Sequence, residues 1–398
     1  MSLAAGREYL AIPGPSVVPD RVLRAMHRAS PNIYEGSLLE MAPTIQADLK
    51  RVARTEGDCA IYIANGHGAW EAALSNTMSR GDAVLVLATG RFALGWSEVA
   101  RRLGLEVEVI DFGKRADADL DRVAEALKGD AAHRFKAVLT VQTDTASSVR
   151  NDIPGLRRVL DDAGHPALLM VDCIACLACD RFEMDAWGVD VTVAASQKGL
   201  MTPPGLSFVW FNKKAAQARE TADLATFYWD WQPRAEPAEF YQFFGGTAPT
   251  HHLFGLRESL DMIFEEGLEN VWDRHATLAR AVWAAFEAWG ADGPLELNIA
   301  DPAKRSHAVT AVRVGGPQGT EIRRWVMDNA GLTLGIGLGM AEKSSPEWHN
   351  FFRIAHMGHV NAHMVLGALG SIQASLKAVG VPHGPGALDA AAEVCAGG

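Results

Sequence analysis

Residues 191–200 read VTVAASQKGL. Five apolar or β-branched residues in a row, with no polar alternation, describe a strand buried on both faces. The run then meets Ser196, Gln197 and Lys198, at the point where a parallel sheet opens onto its ligand crevice. A lysine there is costly to bury unless something uses or neutralises its charge. Upstream, ALLMV (167–171) is a second strand of the same kind, and it ends on Asp172. Adjacent strands would aim Asp172 and Lys198 into one pocket. A Schiff-base lysine with an aspartate on the ring nitrogen is how proteins hold pyridoxal phosphate. The plain alternative makes Lys198 a rim lysine and Asp172 a helix cap, and this pair alone leaves both open.

Around this stretch, strand and helix patterns alternate. IYIA (61–64), AVLVLA (83–88), LEVEVIDF (105–112), KAVLTVQ (136–142) and LSFVWF (206–211) predict strands. Helices are predicted at about 20–29 and 43–55, from about 68, and over 91–103, 118–128 and 153–163. Strands separated by such helices are βαβ units, which build a mostly parallel sheet with right-handed crossovers. From Thr250 to Trp289 the pattern is helical, with a break near Gly267. SHAVTAVRV (306–314), FFRIAHM (351–357) and helices over 319–329 and 361–378 then predict a smaller α+β domain. The expected division is an N-terminal arm (1–14), a large domain (15–262) and a small domain (263–398). The Gly-, Pro- and Ala-rich tail from Val381 is expected to fray.

The 398 residues are 48% hydrophobic and 21% charged, which describes a globular chain. A net charge of -11 argues against nucleic acid and anionic membranes as partners. No apolar run reaches the ~18 residues of a membrane span. The first residues lack a basic segment followed by a long apolar core, so the cytoplasm is the expected compartment. Five cysteines in such a chain are no disulfide framework. Cys173, Cys176 and Cys179 have the C-x2-C-x2-C spacing of part of a metal site. With Cys59 and Cys395 far off in sequence, small buried thiols and no metal are expected.

Further signals sit at strand ends. Asn65-Gly66-His67-Gly68 opens a helix, where free N–H groups favour a phosphate or another anion; a tight turn without a ligand is the alternative. Glu71 stands where a dinucleotide fingerprint would need a third glycine. Thr89-Gly90-Arg91-Phe92 offers an aromatic to a planar ring, and Gln142–Ser148 is a hydroxyl-rich loop. FFGGTAPTHH (243–252) suggests a fixed loop able to reach across a dimer interface. Arg353, inside an apolar strand, must be paired, by a substrate carboxylate or by a structural salt bridge.

The order of GHGAWEAAL, TGRF, TDTAS, VDCI, SQKGL, GGTAP and FRIAHMG resembles class V aminotransferases, in the alanine/serine–glyoxylate branch. The resemblance runs from IPGPSVVP (12–19) nearly to the end of the chain. It implies the pyridoxal-phosphate-dependent transferase fold of type I and a homodimer with shared active sites. Residue by residue, it makes Lys198 the Schiff-base lysine and Asp172 the partner of the ring nitrogen. Ile174 and Phe92 then pack the two ring faces, while Gly66, His67, Gly68 and Gln197 form the phosphate cup. Thr247 reaches the phosphate from the partner subunit, and Thr145 lies near the phenolic oxygen. Arg353, helped by the backbone at Gly14, holds the substrate carboxylate, with Tyr34 in the N-terminal substrate loop. Two loops depart from the family pattern: Gln142, Asp144, Ser147 and Ser148 replace the polar positions of His-x-Glu-(Ser/Thr)-x-Thr-Gly, and Asn32–Gly36 is not basic.

The implied reaction moves an amino group from serine, alanine or aspartate to glyoxylate or a similar small 2-oxo acid. Ureidoglycine or another specialised donor is one alternative. A cofactor-binding regulator or carrier is another, but no segment is spare for a partner-binding module. A cysteine desulfurase would need a cysteine in the small domain's mobile loop, and residues 306–378 contain none.

Overall fold

The computed structural model describes residues 2–397. The larger sheet runs β2 (Asp58–Tyr62), β8 (Ser207–Phe211), β7 (Val191–Ala195), β6 (Leu168–Asp172), β5 (Phe135–Val141), β3 (Ala83–Ala88) and β4 (Glu106–Asp111). Only β8 is antiparallel to its neighbours. Successive side chains of a strand point to opposite faces, and here each face meets its own layer of helices. Leu169, Val171 and Ala194 enter a core with helices Ser37–Ala53, Ile153–Asp162 and Thr250–Glu266. Met170, Val191 and Val193 enter another with Gly66–Ser75 and Arg91–Arg102. Each buried aliphatic side chain contributes roughly 1.5–3 kcal/mol. That two-sided burial is why these strands are continuous apolar runs.

The smaller sheet runs β1 (Tyr9–Ala11), β11 (Leu332–Ile336), β12 (Phe351–Ala355), β10 (Val309–Arg313) and β9 (Glu296–Leu297). The arm thus crosses the molecule to pair β1 in parallel with β11. The sequence pattern did not predict β11: LTLGI is short, carries Gly335, and follows a helix directly through Gly331 at φ 67°.

Gly267 separates helices Thr250–Glu266 and Leu268–Gly290. Along the second helix the packing changes partner. Val271 and Trp272 belong to the larger core, and from Leu278 onward the buried residues belong to the smaller one. Two early helices differ from expectation: the first ends at Met26, and the second starts at Ser37 with Pro43 inside it.

The tail does not fray as expected. Ala387–Ala396 is a helix lying on Leu268–Gly290, with Val381, Ala387 and Ala391 buried in the smaller core. Alanines one helical turn apart let the two backbones approach, and that burial outweighs the poor composition of the linker. Among the described residues no helix is long and apolar enough to cross a membrane.

Candidate active site

In the parallel pairing of β6 with β7, Asp172 lies opposite Val193. The chain leaves the sheet just beyond β7, and Lys198 follows three residues after its last strand residue, Ala195. Asp172 and Lys198 line one cavity of about 220 Å³, together with Gly66, His67, Phe92, Thr145, Ile174 and Gln197. Gly68 stands one residue further into the helix that starts there. Tyr34 and Thr247 are exposed and are not brought to the cavity of their own chain.

Asp172 is buried, and its carboxylate is held on both sides. Oδ1 accepts the Ile174 N–H at 2.6 Å, and Oδ2 accepts the Trp70 indole N–H at 2.9 Å. Burial pushes its pKa up to about 7 against these hydrogen bonds and the weaker pull of Lys198. Among the protein's own groups, desolvation prevails.

The Lys198 ammonium donates to the Pro13 carbonyl. Burial, with the nearby Arg353 charge, lowers its pKa to about 8, while Asp172 opposes the shift. The arm fixes this loop. Ser16 donates its N–H to the Gln197 carbonyl at 2.9 Å and its hydroxyl to the Lys198 carbonyl at 2.7 Å. Gly14 adopts φ +94°, and a Cβ there would lie 2.4 Å from Lys198 Nζ. Only glycine meets both conditions.

At the other end of the cavity, Asn65 caps helix Gly66–Ser75 by accepting the N–H groups of His67 and Gly68. A Cβ on Gly66 would meet Ile174 Cδ1, so a larger residue there would displace the Ile174 side chain that lines the cavity. Among the described residues, the buried Gln197 Oε1 has no hydrogen-bond partner.

Arg353 is buried on β12 beside the cavity. It donates through Nε to the Ile336 carbonyl and through Nη1 to the Thr145 carbonyl, each at 2.7 Å. Among the described residues it forms no salt bridge, so the structural ion pair is not what holds it. Burial lowers it to about 10, still charged at neutral pH.

Three residues of the surroundings had no assigned role in the sequence. Asp144 Oδ2 accepts the Phe92 N–H at 2.8 Å and Oδ1 accepts the Ala146 N–H at 2.9 Å, which ties two cavity loops together. Gln142 Oε1 accepts the thiols of Cys173 and Cys176 at 3.4 and 3.2 Å. Cys179 packs instead against Ala308 and Met357, and burial pushes all three thiols up. Among the described residues no group of three His, Cys, Asp or Glu is placed to hold a metal. Trp70, which binds Asp172, lies one helical turn beyond Gly66. Only its position on the sheet-facing side of that helix could have marked it.

A model of the class-V aminotransferase family matches residues 9–342. The chain is 38% identical to a serine–glyoxylate aminotransferase of Methylorubrum extorquens, over 97% of this chain and 95% of that protein. It is 35% identical to an L-aspartate–glyoxylate aminotransferase of Paracoccus denitrificans, over 96% and 94%. Its fold matches a pyridoxamine–pyruvate aminotransferase from Mesorhizobium loti with a TM-score of 0.88, at 23% identity and over the whole of both chains. That likeness is one of architecture, the type I fold of pyridoxal-phosphate-dependent transferases. With a family match over most of its length and relatives aligned end to end, the chain belongs to the class-V aminotransferases and is a pyridoxal-phosphate-dependent transaminase.

Proposed function

We propose that Lys198 carries the cofactor and that the enzyme moves an amino group from serine, alanine or aspartate to glyoxylate or a similarly small 2-oxo acid. The observation that carries this reading is the cavity that Lys198 and Asp172 share between Phe92 and Ile174. Pyridoxal phosphate fits these residues. A carboxylate stands on one side, and the N-terminus of helix Gly66–Ser75 opens onto the same cavity. The relatives' names agree on glyoxylate and differ in the donor.

When bound, the cofactor supplies an electron sink for the Cα–H bond of the amino acid. The chain's own residues do the rest. Asp172 keeps a proton on the ring nitrogen. Lys198, with a pKa near 8, has a usable neutral fraction at physiological pH to take the Cα proton and return it. Arg353 presents a guanidinium with no carboxylate of its own to the substrate's α-carboxylate, and Gly14 borders the same space. His67, Gly68 and Gln197 hold the phosphate end where the helix N-terminus favours an anion. Tyr34 belongs to the N-terminal substrate loop, and Thr247 acts across a homodimer interface, completing the partner's phosphate cup. Thr145, which lines the same cavity, would stand near the cofactor's phenolic oxygen.

Donor profiling tests this reading. The holoenzyme is incubated with glyoxylate and one amino acid at a time, and glycine is measured. Glycine is expected with at least one of serine, alanine and aspartate. If none of the three yields glycine while a specialised donor does, the proposed donor class is wrong.

A further inference from the structure

Asp172 has a second partner whose purpose packing does not explain. Trp70 is 1% exposed, and its indole N–H points at Asp172 Oδ2 from 2.9 Å. Its ring stacks on Trp96, centroids 6.1 Å apart and planes 14° from parallel. The Phe92 and His67 rings meet it edge-on, at 6.4 and 4.6 Å. Three neighbouring rings therefore fix the direction of one N–H bond. Trp96 is just as buried, yet among the described residues its own indole N–H has no partner. The two stacked indoles differ in that Trp70 borders the cavity and donates to the carboxylate, whereas Trp96 lies behind it and does neither.

We propose that Trp70 is a positioning residue for the reaction: its indole N–H orients the Asp172 carboxylate and holds it ionised toward the cofactor's ring nitrogen. This rests on the reading of Asp172 given above. The geometry supports it in two ways. A carboxylate with the Ile174 N–H on one oxygen and the Trp70 N–H on the other cannot rotate without breaking a hydrogen bond. Its remaining lone pairs then face the cavity that Asp172 lines. A donor to the charged form also opposes the burial that favours the neutral acid.

The test compares Trp70→Phe with Trp96→Phe in the full-length chain. Both keep an aromatic ring, and only the first removes a hydrogen bond. Pyridoxal phosphate affinity is measured by equilibrium titration from pH 6 to 9, with kcat and KM alongside. Trp70→Phe is expected to weaken cofactor binding about tenfold near neutral pH, the lower end of what a hydrogen bond to a charged group contributes. The loss should grow as pH falls, because the carboxyl then protonates at higher pH. The acid limb of kcat should move up in step. Trp96→Phe should leave affinity and both pH profiles in place. Equal behaviour of the two variants, or a Trp70→Phe affinity like that of the parent at every pH, overturns the proposal.

If Trp70→Phe does not fold, 3-benzothienylalanine at position 70 replaces it. This isostere keeps the bicyclic ring and lacks the N–H, and the same outcomes apply. Asp172→Asn separates the two levels of the argument. If it does not lower cofactor affinity, the reading of Asp172 has failed; if it does while Trp70→Phe does not, only the role of Trp70 has failed.

Discussion

Arg353 Nη1 donates to the carbonyl of Thr145 over 2.7 Å, joining the smaller sheet to a cavity loop of the larger one across 208 positions of sequence. The bond uses part of the guanidinium and fixes the direction of the rest. Arg353→Ala should raise KM about ten- to a hundredfold for donor and acceptor alike, the range for hydrogen bonds to a charged group. Arg353→Lys should recover only part of that, because a point charge lacks the planar fork. Steady-state kinetics with two donors of different side chain decide it. Unchanged KM values for both would remove Arg353 from substrate binding.

Lys198→Ala should abolish transamination while the fold survives. Borohydride trapping followed by peptide mapping should mark Lys198 in the parent and no other lysine. The neutral amine is the reactive form, and its pKa is lowered to about 8. The rate of cofactor capture by cofactor-free protein should therefore rise about tenfold per pH unit below 8 and level off above it. A break near the ordinary lysine value would contradict the assignment.

The buried Asp172 carboxyl predicts a pH-dependent stability of the cofactor-free chain. Its folded pKa is raised to about 7 from 3.8. Between those values the unfolded chain has lost a proton that the folded chain keeps, so stability falls as pH rises through this window and is level above 7. The slope is on the order of 1.4 kcal/mol per pH unit. Asp172→Asn lacks this titration. It should gain on the parent in thermal unfolding between pH 5 and pH 8, and a constant difference would refute the shift.

Cys173 and Cys176 satisfy one acceptor, Gln142 Oε1. Changing both to alanine strands a buried amide oxygen and should cost about 1–3 kcal/mol in urea unfolding, with kcat little changed. A single Cys176→Ala, which leaves the Cys173 donor in place, should cost less. Stoichiometric metal in the parent, lost together with activity in the double variant, would show instead that the thiols are ligands.

Subunit exchange tests whether Thr247 serves a neighbour. In a heterodimer of Thr247→Val with Lys198→Ala, one site carries both lesions and the other neither, provided Thr247 acts across the interface. Activity at limiting cofactor should then recover on mixing. If heterodimers form and nothing recovers, Thr247 is confined to its own subunit.

The sequence by itself determined the layered α/β architecture, because strands buried on both faces must be continuous apolar runs, and β3, β6 and β7 are. It also marked Lys198 and Asp172 as candidates, since a charge at the end of such a run is costly to bury, and left their role open until the other motifs were read with them. Short or polar elements were beyond it. β1 becomes a strand only by pairing with β11, β11 forms between β1 and β12, and the tail helix forms on the surface of Leu268–Gly290. The partners of the site were hidden for the same reason. Trp70 and Asp172 are 102 positions apart, and Ser16 and Lys198 are 182 apart. Hydrogen bonds of that kind leave no periodicity in the chain, and the packing of helices and arm against the sheet alone decided them.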